Sequence, residues 1–113
     1  YSLVNVFLIT PQTSEKRIQF IDSISNGFIY MVSSASVTGS QTGFGNDQLA
    51  YFKRIETMKL KSPQIIGFGI STNETFNQAI KYAKGAIIGS AFIKHLKHEG
   101  VSNIDRFVKQ IRP

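Results

Sequence analysis

Small residues gather at three places where an apolar run stops: Val37-Thr38-Gly39-Ser40, Gly67-Phe68-Gly69-Ile70-Ser71 and Ile88-Gly89-Ser90-Ala91. Glycine lets a ligand approach the backbone closely, and successive N–H groups in such turns can cradle an anion. Gly89-Ser90 also opens a short helical stretch, whose first amides and dipole favour phosphate, and the Ser90 hydroxyl is a further donor. A plainer reading is that Gly67 and Gly69 only permit tight packing of helix on strand. Three such turns on the same face of consecutive units favour a phosphate site.

Two aromatics lie close to these turns. Tyr30 sits in a strand-like run just before a long polar stretch, either as a core or interface ring or as a residue facing substrate. Phe68 is likewise either plain core or the wall of an apolar pocket, and periodicity does not decide. The stretch 33–46 carries Ser33, Ser34, Ser36 and Thr38 before Gly39, then Gly43 and Gly45. It reads as a tolerated surface loop or as a mobile lid that closes over substrate, with those glycines as hinges. His95 and His98 read as a solvated helix end. Two histidines without cysteine are too few for a zinc site unless carboxylates complete it, so no metal is expected.

The elements that position these groups follow from periodicity. Residues 3–9 form a short β-branched apolar run closed by Thr10-Pro11. Thr13 or Ser14 caps a helix with Ile18, Phe20, Ile21 and Ile24 at helical spacing, and Gly27 suits a left-handed position after it. A second strand spans 28–32. Asp47 caps the next helix, which carries Leu49, Phe52, Ile55 and Met58. Pro63 precedes a third strand at 64–68. Thr72 or Asn73 starts a helix with Phe76, Ala79, Ile80 and Ala83, and Gly85 ends it. A fourth strand covers 86–89, followed by a short helix over 91–96 and a last one capped by Ser102, with Ile104, Phe107, Val108 and Ile111 on one face.

This β-α-β-α-β-α-β-α order predicts an α/β fold with a parallel sheet and right-handed crossovers. Ligands then bind at the C-terminal ends of the strands, where all three small-residue turns fall. Four units are half of a (β/α)8 barrel, whose usual length is about 250 residues. A small flavodoxin-like sheet is the rival; the loops favour half a barrel. Residues 1–113 read as a single partial domain, because the chain enters a strand pattern almost at once from Tyr1 and has no closing element.

Composition sets outer limits. Of 113 residues 42% are hydrophobic and 18% charged, which argues against disorder. No apolar run nears the ~20 residues of a membrane span, and no signal-peptide pattern is visible. The lack of cysteine excludes a disulfide scaffold and fits a reducing compartment, so a cytoplasmic location is expected. The net charge of +6 is compatible with nucleic acid, anionic lipid or a phosphorylated substrate. Its carriers fall in two groups, Lys53, Arg54, Lys59, Lys61 and Lys81, Lys84, Lys94, Lys97. Neither is dense or interleaved with aromatics, so both read first as solvated helix faces.

Taken together, Phe28-Ile29-Tyr30-Met31-Val32-Ser33, Ala35-Ser36-Val37-Thr38-Gly39, Ile66-Gly67-Phe68-Gly69-Ile70-Ser71 and Gly85-Ala86-Ile87-Ile88-Gly89-Ser90-Ala91 resemble the tryptophan synthase alpha chain family. The four blocks stand in the family's order and cover nearly the whole chain, aligned with the family's C-terminal half. The resemblance implies a (β/α)8 TIM barrel and a lyase of tryptophan biosynthesis. That lyase cleaves indole-3-glycerol phosphate to indole and glyceraldehyde 3-phosphate and passes indole to a pyridoxal-phosphate beta chain in an α2β2 assembly. It implies that Gly39, Gly69, Gly89 and Ser90 hold the substrate phosphate and that Phe68 borders the indole. Tyr30 would help to activate a catalytic carboxylate, and Thr38 would act from the closing loop. No cofactor is expected in this chain itself, nor a nucleic-acid or membrane partner.

Two departures affect the loop: many members carry Arg at the place of Ser34 and Gly at that of Ser36. The family's two acidic catalytic residues lie in its N-terminal half, so these 113 residues are expected to hold a phosphate site without the catalytic acids, to be inactive alone, and to self-associate through their open sheet. Another phosphate-binding barrel enzyme is the alternative; a basic nucleic-acid module, contacting phosphates through Lys53, Arg54, Lys59 and Lys61, has little support from the apolar strands.

Overall fold

The computed structural model describes residues 1–33 and 43–113. Four strands, β1 (Phe7–Ile9), β2 (Ile29–Val32), β3 (Gln64–Gly67) and β4 (Gly85–Ile87), form one sheet in the order β1-β2-β3-β4, every pair parallel. Each strand is followed by helix: α1 (Glu15–Ile24), α2 (Asn46–Thr57), α3 (Asn73–Ile80) and α4 (Ser90–Glu99), with a 3-10 turn at Val101–Asn103 leading to α5 (Ile104–Ile111). Among the described residues, no helix is long and apolar enough to cross a membrane.

Register sorts the strand residues onto two faces. Ile9, Met31, Ile66 and Ala86 stand side by side in the ladder, and the first three are fully buried. They face the helices, where Ile18 and Ile21 of α1, Phe52 and Ile55 of α2 and Ala79 of α3 complete the core. Phe52 is its centre, with Phe44 edge-on at 5.0 Å and the Tyr51 and Tyr82 rings tilted beside it. The Tyr51 hydroxyl donates to Ile9 O at 3.2 Å, and burial pushes that phenol far above its usual range. The opposite face carries Leu8, Tyr30 and Ile65 in one row and Val32, Gly67 and Ile87 in the next. It is only half covered, and Leu8 is 57% exposed.

Several local expectations are corrected. The first strand is confined to Phe7–Ile9 rather than 3–9, because β2 begins pairing only at Ile29. The fourth runs Gly85–Ile87 rather than 86–89, so Gly85 opens a strand instead of closing a helix. Ser14 caps α1, accepting from Arg17 N, and Thr72 caps α3 in a reciprocal box with Thr75. Asp47 is not a cap: α2 starts after Gly45, and Asp47 lies in its first turn, where its charge complements the dipole. Ser102 falls inside the 3-10 turn, and α5 follows Asn103 instead. Gly27 has no left-handed role, since α1 leaves through extended Ser25; a Cβ at Gly27 would instead press on Val4 Cγ1 at 3.1 Å.

His95 is no solvated helix end. Its Nε2–H donates to Asn103 O at 2.8 Å and its ring lies 5.1 Å from Phe107, which also meets Phe92. The histidine thus fastens α4 to α5, whose other end is held by Asn73 Nδ2 donating to Ile111 O. His98 is exposed.

Candidate functional site

At the C-terminal ends of β2, β3 and β4, a cavity of about 260 Å³ opens on the half-covered face of the sheet. Tyr30, Phe68, Gly69, Gly89 and Ser90, five of the residues singled out above, line it together. Thr38 and Gly39 lie outside the described residues, as do Ser34, Ser36 and most of the 33–46 loop. Both ends of that loop are buried: Ser33 at the end of β2, and Phe44, whose N–H donates to the Gln78 side chain at 3.2 Å.

The turn after β3 shapes one wall. Phe68 and Gly69 follow each other with φ of +69° and +76°. The left-handed conformation is free for Gly69 but costs about 1–2 kcal/mol at Phe68. The cost is not returned by burial, because Phe68 is 60% exposed and turns its ring towards the cavity, 5.9 Å from the Tyr30 ring. Behind the turn, the Ser33 hydroxyl reaches Gly67 O and Phe68 O, each at 2.8 Å. The other wall is the start of α4. Neither Gly89 nor its first turn carries a side-chain cap or an acidic residue, so the amides there face the cavity rim without a competing anion. A Cβ on Gly89 would meet nothing within 4 Å, and its φ of −114° is open to any residue. Among the described residues, neither packing nor backbone shape therefore requires glycine at that position; a ligand lying against the backbone would.

Ile70, Ser71, Ile87 and Ala91 complete the lining and were missed in the sequence reading, although Ile70, Ser71, Ile87 and Ala91 stand within the same motifs. Ser33 was missed as well, since its partners are some 34 positions away. No carboxylate or imidazole lines this cavity among the described residues. Chemically it offers aromatic walls, backbone amides and a serine hydroxyl. It suits a ligand with a flat apolar ring and an anionic end, and among the described residues the Tyr30 phenol is its acid–base group.

A larger hollow of about 550 Å³ lies at the other end of the strands, between the turns that lead into β3 and β4. Lys59, Lys61, Lys81 and Lys84 surround it, joining members of the two basic groups noted above, with Glu56 among them. All four lysines are exposed, and Lys61 Nζ donates to Ser25 O at 3.4 Å, so the charge there is largely solvated. No group of three or more His, Cys, Asp or Glu is arranged to hold a metal among the described residues.

Comparison with known proteins agrees with this arrangement. The family model described as tryptophan synthase alpha chain matches residues 1–112. A tryptophan synthase alpha chain of Flavobacterium johnsoniae is 73% identical over 112 residues, covering 99% of this chain and 44% of the relative. The solved tryptophan synthase A-subunit of Pyrococcus furiosus superposes with a TM-score of 0.77 at 25% identity, over 96% of this chain and 44% of that one. The tryptophan synthase complex from the same organism gives 0.76 at 25% identity, over 96% and 43%. The chain thus spans less than half the length of these relatives, and its four parallel β/α units are those of the C-terminal half of a (β/α)8 barrel.

Proposed function

From the premise that this chain belongs to the tryptophan synthase alpha chain family, we propose that it forms the phosphate- and indole-binding side of a lyase. The complete barrel would cleave indole-3-glycerol phosphate to indole and glyceraldehyde 3-phosphate. One observation carries the reading: a ring-lined cavity whose far rim is the uncapped start of a ten-residue helix. Phosphate would lie on the amides of Gly89, Ser90 and Gly69, with the Ser90 hydroxyl as an added donor. The indole would lie against Phe68 and Tyr30. Gly39 would add a backbone contact to the phosphate, and Thr38 would act from the loop that closes the site.

Cleavage requires a proton at indole C3 to make the ring an electron sink. It also requires removal of the proton from the glycerol hydroxyl next to the scissile bond. The C–C bond then breaks, its electron pair restores the indole, and the hydroxyl carbon leaves as the aldehyde. No carboxylate lines the cavity among the described residues, so both proton transfers would fall to acidic residues in the rest of the barrel, and the Tyr30 phenol would steer one of them. The 113 residues alone would then bind but not cleave. The chain would need no cofactor of its own. Its product would pass to a pyridoxal-phosphate beta chain, a reading supported by the Pyrococcus furiosus assembly, which is a tryptophan synthase complex. We place it in the cytoplasm, in keeping with a chain that has no cysteine.

The test joins this chain to the upstream residues of the Flavobacterium johnsoniae relative and measures indole release from indole-3-glycerol phosphate, with the 113 residues run alongside. Release by the joined chain only is the expected result. No release by the joined chain, even with a beta chain added, overturns the reading.

A further inference from the structure

Resting on that reading of the cavity, we propose that Ser33 is a positioning residue for the substrate: its hydroxyl holds the Phe68–Gly69 turn in the shape that lines the site. Ser33 is 4% exposed and directly follows β2. Its N–H donates to Gly67 O at 3.0 Å, so the strand ladder already satisfies that carbonyl. The hydroxyl proton is shared between Gly67 O and Phe68 O, each at 2.8 Å, and the second bond reaches beyond the ladder into the turn.

That second bond acts where the backbone is least comfortable. Phe68 holds φ +69° while it is 60% exposed, so intrinsic preference opposes the turn and burial of the ring returns little. Without the hydroxyl, Phe68 O loses its bond from Ser33 and the turn is free to relax towards the right-handed region. The Phe68 ring would leave its place beside Tyr30, and the Gly69 amide would leave the cavity wall. Ser33 touches no ligand in this arrangement; it acts through Phe68 and Gly69. The expected signature is therefore on substrate binding more than on turnover.

Threonine and valine at position 33 separate hydroxyl from volume, because the two side chains have nearly one shape and only the first can donate. In the joined full-length chain, Ser33→Val should raise KM for indole-3-glycerol phosphate about tenfold, the cost of one well-placed hydrogen bond, with a smaller change in kcat. Ser33→Thr should stay within about twofold of the parent on the same scale. The backbone NMR resonances of Phe68 and Gly69 should shift in the valine variant and stay in place in the threonine variant. Ser33→Ala, which adds no bulk, should reproduce the valine result if the added methyl disturbs folding. Equal KM values and unmoved resonances in valine, alanine and threonine variants overturn the proposal. Should the parent fail to cleave the substrate, the functional reading falls, while the Phe68 and Gly69 resonances still decide the role of Ser33.

Discussion

The Tyr30 ring occupies the space that a Cβ on Gly67 would need. The two residues are diagonal neighbours on the cavity face, since Tyr30 pairs with Ile65 and Gly67 pairs with Val32. Glycine at 67 thus lets a large phenol lie across the neighbouring strand and reach Phe68. Gly67→Ala should cost about 1–3 kcal/mol through overpacking, or displace the Tyr30 ring from the cavity. Thermal unfolding of the variant measures the first, and Tyr30→Leu in the same chain should recover part of the loss. An unchanged melting temperature in Gly67→Ala would mean that the ring moves aside freely.

Asp22 ties α1 to the turn before β3. Its two carboxylate oxygens accept from Lys61 N and Ser62 N, both at 2.9 Å. Partial burial alone would raise this carboxyl, but the two backbone N–H bonds, helped by the Ser62 side chain and the Lys61 charge, outweigh it and lower it below 3.8. A carboxyl depressed in the folded state stabilises above its unfolded pKa, and that contribution fades as pH falls through the folded value. Asp22→Asn should therefore lose stability at pH 7 and show a flatter melting temperature than the parent between pH 5 and pH 2. Parallel curves for the two chains would remove Asp22 from the acid response.

Much of the fold was legible because local signals and tertiary packing agree. Ile18, Ile21, Phe52 and Ile55 recur at helical spacing and all reach the core, and Ser14 and Thr72 cap as their types suggest. Strand ends were less legible, since pairing rather than hydropathy stops β1 at Phe7. The cavity was half legible. Tyr30, Phe68, Gly69, Gly89 and Ser90 stood out by type and place, and the structure brings them to one opening. What could not be read was the left-handed Phe68 and the serine that holds it, because a hydrogen bond across 35 positions leaves no local pattern. His95 escaped for the same reason: its carbonyl partner is set by how α5 docks, not by spacing along α4.

The two histidines should therefore behave differently. His95→Ala removes a bond to Asn103 O and a ring tilted against Phe107, and should lower stability by about 1–2 kcal/mol. His98→Ala, at an exposed position, should change it by less than about 0.5 kcal/mol. Chemical denaturation of the two variants makes the comparison, and equal effects would contradict the role given to His95.

The uncovered face predicts how the 113 residues behave alone. Leu8 and Phe68 are more than half exposed there, and among the described residues β1 and β4 each leave one edge without a partner in the sheet. Open parallel edges and exposed apolar side chains both invite pairing. We expect concentration-dependent association by light scattering, suppressed when the upstream part of the barrel is joined on. A monodisperse monomer at high concentration would show that the face is tolerated in water.

Gly89 separates binding from folding more cleanly than any other position in the cavity. Among the described residues a Cβ there would meet nothing within 4 Å, and its φ of −114° is open to residues other than glycine. Gly89→Ala should thus leave the melting temperature nearly unchanged, within about 0.5 kcal/mol of the parent. The new methyl would stand where phosphate is proposed to approach the first amides of α4, and should weaken substrate binding about tenfold or more, as loss of a charge-assisted hydrogen bond does. Ser90→Asp goes further by placing a negative charge at the same rim, which favours the helix start and repels the anion, so stability should hold or rise while KM climbs. The measurement is KM against melting temperature for both variants in the joined chain. Stable variants with unaltered KM would move the phosphate away from α4, and with it the strongest support for the proposed substrate.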